Sequence, residues 1–86
     1  MAETAFKDIL MREFDRVTRD PAVMGGKACI RGTRVTVGMI VNQIGEGRSI
    51  DEVLSDYPYL AREDVLQALR YAAFLVEDRE IDLASA

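Results

Sequence analysis

The sequence predicts a mainly helical fold: a core of three helices behind a small N-terminal β-hairpin, with an amphipathic helical arm in front. Three observations predict it. Apolar residues recur at helical spacing in three stretches after Gly38. A glycine-rich, basic segment lies between two short β-branched runs before that point. Residues 4 to 14 carry a further apolar stripe of Phe6, Ile9, Leu10 and Phe14, with Lys7, Asp8, Arg12 and Glu13 on other faces.

That first stripe defines the arm, residues 1 to 14, which either covers the core of its own chain or docks on a second chain. Val17 and Thr18 suit a brief strand, Asp20-Pro21 breaks it, and Gly25-Gly26 supplies the backbone freedom for a reversal. Ala28 to Ile30 and Val35 to Val37 form the next extended pieces, separated at Gly32. The basic hairpin thus spans residues 15 to 37. Val37, Ile40, Val41 and Ile44 make the stripe of the first core helix, and Gly45 and Gly47 offer places for it to end. Ser49 stands three residues before Glu52, a capping box, and Ile50, Val53, Leu54 and Tyr57 follow as the buried face of a second helix that Pro58 stops. Val65, Leu69, Ala72 and Val76 define a longer third helix. The core, residues 38 to 76, then reads as a three-helix helix-turn-helix arrangement of homeodomain or winged-helix type, followed by an acidic tail over 77 to 86. No repeat, linker or low-complexity run interrupts it, so one domain is expected over 1 to 86.

Size and charge bound the function. A chain of 86 residues buries only about 60 to 65% of its unfolded surface, so a dimer or a partner is expected to support it. No apolar run approaches the ~20 residues that cross a bilayer, and no basic-then-apolar signal pattern opens the sequence, which predicts a soluble, cytoplasmic protein. The formal net charge is −4, unevenly spread. Residues 15 to 34 carry Arg16, Arg19, Lys27, Arg31 and Arg34 against Asp15 and Asp20, whereas residues 35 to 86 carry four arginines against ten acids. A basic hairpin of this kind meets phosphate, or merely keeps a strand edge soluble.

Catalytic chemistry finds little support. There is no histidine, which removes the usual neutral-pH base and every Ser-His or Cys-His nucleophile. The lone Cys29 forms neither an internal disulfide nor a multi-thiolate metal site and reads as a small buried hydrophobe. Asp51, Glu52, Asp56, Glu63 and Asp64 fall in helix first turns or on solvated faces rather than in a metal site. A phosphate loop ending in Gly26-Lys27 fails twice, with Pro21 at the first glycine position and Ala28 at the hydroxyl position. No enzyme activity, metal or cofactor is expected.

The side of the last helix opposite its stripe carries Glu63, Gln67, Arg70 and Phe74, with Tyr71 and Glu77 beside it. Gln67 and Arg70 pair with base edges if this face reads DNA. Tyr71 and Phe74 instead anchor a protein interface, unless the arm covers them.

Asp20-Pro21, Met24 to Lys27, Cys29 to Arg34, Val37, Gly47, Glu52 to Leu54, Tyr57-Pro58, Leu60, Glu63 to Val65 and Ala68 to Ala72 together resemble the small prokaryotic family catalogued as domain of unknown function 433, DUF433, from about Phe14 to Ala73. The resemblance implies a helix-turn-helix-like domain with a β-hairpin, often dimeric. It also implies the antitoxin half of a toxin–antitoxin module whose toxin resembles a PIN-type ribonuclease, and it assigns no catalytic residues. Three positions depart from the family pattern: Ala28 and Thr36 stand where prolines are usual, and Ala61 where Ser or Thr caps the third helix.

The leading expectation is a non-enzymatic antitoxin that neutralises a PIN-like ribonuclease by protein–protein binding and regulates its own operator DNA as a homodimer. Phe6, Ile9 and Leu10 of the arm, or the tail with Arg79 as its one cation, are the segments expected to inhibit. A stand-alone dimeric DNA-binding regulator is the alternative, with Arg16, Arg19, Lys27, Arg31 and Arg34 on phosphate and Gln67 and Arg70 on bases. A homodimeric adaptor built on Tyr71, Phe74 and the arm is the third.

Overall fold

The computed structural model describes residues 14–85, with side chains to Glu77. Among them two short strands and three helices follow in order: β1 (Val17–Arg19), β2 (Ala28–Ile30), α1 (Val37–Gly45), α2 (Ile50–Asp56) and α3 (Arg62–Ser85). The helical arm expected over residues 1 to 14 lies outside the described residues except for Phe14, which sits in a turn.

β1 and β2 pair antiparallel, Val17 opposite Ile30 and Arg19 opposite Ala28. The connection between them contains a left-handed turn in which Met24, Gly25 and Gly26 have φ of 49°, 66° and 84°. Two of those three positions are glycine, which enters this region without a Cβ clash, and Met24 is the described non-glycine residue held there. Past β2 the chain doubles back once more, and Cys29 bridges to Thr36. Thr36 then ends the extended run, because its hydroxyl accepts the Met39 N–H at 3.0 Å and so caps α1.

The three helices converge on a shared centre. Ile40 of α1, Val53 of α2 and Val65 of α3 are each fully buried, with Val17, Ile30, Val35, Leu60 and Ala68 packed around them. α2 begins with the capping box that its sequence announces: Ser49 Oγ accepts from Glu52 N–H at 3.1 Å and Glu52 Oε1 accepts from Ser49 N–H at 2.9 Å. It stops at Tyr57, and Leu60 N–H donates to the Tyr57 carbonyl at 2.9 Å to close the turn before α3. Arg48 fixes the other end of α2, donating to Gln43 Oε1 at 2.6 Å and pairing with Asp56.

α3 keeps most of its expected face, with Val65 buried and Leu69 and Ala72 packed on the core, and widens it toward Ala68 and Tyr71. Val65, Ala68 and Tyr71 are buried and Leu75 packs on the core, whereas Val76 is 58% exposed. The reason lies in Phe14, just ahead of the hairpin. Phe14 lays its ring edge-on against Tyr71, centroids 5.2 Å apart, and tilted against Phe74 at 5.8 Å, which draws the aromatic side of α3 inward. The core-packed part of the helix ends at Leu75, and α3 runs on to Ser85.

Candidate partner-binding site

Cations and apolar side chains collect on two adjoining features around the hairpin. The first is the turn Arg31-Gly32-Thr33-Arg34. Thr33 organises it: its hydroxyl donates to the Ile30 carbonyl at 2.8 Å and accepts from Val35 N–H at 3.0 Å, while Thr33 N–H also donates to Ile30 O at 3.0 Å. Ile30 N–H donates to Val35 O at 2.9 Å across the base of the turn, and Arg31 N–H donates to Arg16 O at 2.7 Å. Gly32 supplies the positive φ, 76°, that the reversal needs, and open space surrounds its missing Cβ. Arg31 and Arg34 stand exposed at the shoulders of this braced loop, neither in an ion pair among the described residues. Thr18, Asp20, Val23 and Thr33 share an open hollow with Arg34.

The second feature is an apolar groove between the hairpin, α1 and α3. Met39, Val41, Leu75 and Val76 line it, and Arg19 and Lys27 run along its hairpin edge. Met39 is 39% exposed. Neither Arg19 nor Lys27 pairs with a carboxylate among the described residues.

Arg16 is different from the other four hairpin cations. Its Nη1 donates to Asp64 Oδ1 at 2.9 Å, and its backbone N–H donates to Gln67 Oε1 at 2.6 Å. Gln67 Nε2 in turn donates to Asp15 Oδ1 at 3.0 Å. That hydrogen bond, reinforced by the Arg16 and Arg31 charges, holds the Asp15 carboxyl below its ordinary pKa. Asp64 also accepts the Ala61 N–H through Oδ2 at 2.8 Å, so one carboxylate ties the hairpin to the start of α3.

These placements correct two of the residues singled out from the sequence. Gln67 is 6% exposed and hydrogen-bonded within the chain, so its amide does not face outward to read a base. Tyr71 is buried against Phe14 rather than presented as an interface anchor, and the half-buried Phe74 packs on the same ring. Arg70 is exposed as expected. Phe6, Ile9, Leu10 and the Arg79 side chain lie outside the described residues. Sequence reasoning placed Asp64 in a helix first turn, where it stands, but missed its bonds to Ala61 and Arg16 and the bracing role of Thr33. Among the described residues no group of three or more His, Cys, Asp or Glu is placed to hold a metal ion, and no helix is long and apolar enough to cross a membrane.

A family model described as "Protein of unknown function (DUF433)" matches residues 17–72, from the first strand to the middle of α3. The chain belongs to the DUF433 family. The crystal structure of a DUF433 member protein from Anabaena variabilis ATCC 29413 superposes with a TM-score of 0.70 at 30% identity, covering 96% of this chain and 81% of the other. The uncharacterized protein y4eO of Sinorhizobium fredii (strain NBRC 101917 / NGR234) is 36% identical over 56 residues, 65% of this chain. This chain spans a quarter of that relative's length.

The DUF433 match contains the braced Arg31 to Arg34 turn and, of the residues that fasten the hairpin to α3, Asp64 and Gln67, while Asp15 and Arg16 lie just ahead of it. The departures from the family pattern also find places. Thr36, where a proline is usual, caps α1 with its hydroxyl. Ala28 pairs with Arg19 in the sheet. At Ala61 the side-chain cap is absent and Asp64 supplies the other half of the box.

Proposed function

We propose that this DUF433 chain is the non-catalytic, antitoxin-like half of a toxin–antitoxin module, neutralising a PIN-like ribonuclease in the cytoplasm by protein–protein binding. The observation that carries it is the pair of exposed arginines, Arg31 and Arg34, held at the shoulders of a turn that Thr33 braces. A PIN-type active site is an acidic metal centre, and a guanidinium forks onto a carboxylate with two hydrogen bonds. A turn already fixed by backbone and hydroxyl bonds loses little freedom when it docks there. The test is co-expression with the product of the neighbouring gene, followed by a ribonuclease assay on the purified pair. Activity is expected to be silent in the pair, to appear after denaturing removal of this chain, and to appear without denaturation when Arg31 and Arg34 are both alanine. A pair that stays silent with both alanines in place defeats the arginine-led reading.

A second reading, operator DNA binding, is favoured by the four exposed cations Arg19, Lys27, Arg31 and Arg34 on one hairpin, with Arg70 exposed on α3. With Gln67 turned inward, such binding rests on phosphate contacts. Four of them predict that affinity for the upstream DNA falls about two orders of magnitude between 50 and 200 mM salt. Affinity that does not change across that range removes the reading.

A further inference from the structure

The geometry points to the groove between the hairpin, α1 and α3 as a docking surface for an amphipathic helix of a partner protein, apolar on one face and acidic along one flank. Ala28, Gly38 and Ala72 line the groove with little side chain, between the longer Met39, Leu75 and Val76. Met39 and Val76 are 39% and 58% exposed, so apolar surface stands open at the rim. Met24 lines the same groove from a left-handed backbone, φ 49°, a conformation that a non-glycine residue keeps only where its surroundings hold it. Two methionines placed in this way give a surface that repacks around an incoming side chain.

Charge selects the occupant. Acids outnumber cations fifteen to eleven in the chain, yet no acid lines the groove, and Arg19 and Lys27 on its hairpin edge are in no ion pair among the described residues. That edge attracts an anionic flank. Two cations beside an apolar surface are fewer than a nucleic-acid backbone or a lipid surface takes. The form of the occupant follows from what the groove withholds. Its uncharged polar side chains are few, and the Thr36 hydroxyl is already committed to the Met39 N–H. An extended peptide laid there leaves its own N–H and C=O groups without partners, whereas a helix brings its hydrogen bonds with it and presents side chains alone. α1, the groove wall over Val37–Gly45, is about 13 Å long, so a partner helix of about two to three turns spans it with anchors at i, i+3 or i+4 and i+7. Arg31 and Arg34 do not line the groove, so this proposal and the ribonuclease reading fail separately.

Titration of the full isotope-labelled chain with a synthetic helix of about 18 residues tests it, read by amide chemical shifts. The probe carries a leucine stripe at helical spacing with glutamate along one flank, and its control keeps the leucines with lysine in place of every glutamate. The acidic helix is expected to shift the amides of Met39, Val41, Leu75 and Val76 and to bind about fivefold tighter than the lysine control. Arg19→Glu/Lys27→Glu is expected to reverse that preference. Val76→Asp and, separately, Met39→Asp are expected to abolish the shifts, with circular dichroism confirming that each variant folds. Shifts confined to other faces, binding that survives both apolar substitutions, or equal affinity for the two probes overturns the proposal. A groove taken by residues 1 to 13 of the chain itself leaves the amides unmoved at every probe concentration, and one taken by a second copy moves them with chain concentration alone. Either result overturns it too.

Discussion

Gln67 is a polar residue on the buried side of α3, and its two amide atoms serve two partners at once. Replacing it with Leu keeps the volume but leaves the Arg16 N–H without an acceptor, and is expected to cost about 1–3 kcal/mol, read as a lower urea midpoint with an unchanged slope. The sequence shows Gln67 only as a polar position on the side of the helix opposite its apolar stripe. Its partners are 51 and 52 residues away, and no local pattern reports them. Arg31 and Arg34 were legible for the opposite reason. Cations beside a glycine in a turn have nowhere to go but outward, and their exposure follows from local chemistry alone. Thr33 escaped notice because a threonine in a loop carries no signal until its hydroxyl is seen between Ile30 and Val35.

Local rules place the helices well where the defining contacts are four residues apart or fewer. The Ser49 and Glu52 box is such a case, and α2 starts where it indicates. α3 is the instructive mixed case, since Val65, Leu69 and Ala72 pack on the core as expected and Val76 does not. Its stripe of Val65, Leu69, Ala72 and Val76 has good periodicity, yet Phe14 pulls the Tyr71 and Phe74 side inward, and a helical wheel has no knowledge of a ring arriving from the other end of the chain. The first turn of α3 holds an opportunity as well. Asp64 already accepts the Ala61 N–H, so Ala61→Ser completes the box by offering a hydroxyl to the Asp64 N–H. A gain of about 0.5–1 kcal/mol is expected, visible as a higher Tm. A lower Tm counts against α3 starting with Ala61 as its cap.

Across the whole chain the charge asymmetry read from the sequence becomes a division of labour. Arg16 fastens the hairpin to α3, Arg19 and Lys27 edge the groove, and Arg31 and Arg34 remain outward. Acid should loosen this arrangement. Asp15 is held below its usual pKa first by the Gln67 hydrogen bond, Glu52 by the Ser49 N–H and Asp56 by the Arg48 guanidinium. Each carboxylate is more acidic folded than unfolded, so its contribution is present above the ordinary carboxylate range, about pH 4, and is lost as pH falls through the lower folded value. Thermal melts are expected to hold steady from pH 7 to 5 and to drop below about pH 4, with Asp15→Asn shrinking the drop. An Asp15→Asn melt that falls as steeply as the wild type separates Asp15 from this acid response.

The bonds from Asp15 and Arg16 to Asp64 and Gln67 also set an order of events while the chain is being made. Asp15 and Arg16 wait for partners 48 to 52 positions later. At ordinary synthesis rates of about 5–20 residues per second, that is a delay of roughly 3–10 s. Phe14 waits longer still, for Tyr71 and Phe74. The start of the hairpin is therefore among the last of the described pieces to settle, and the groups that it buries against α3 stay open until α3 has emerged.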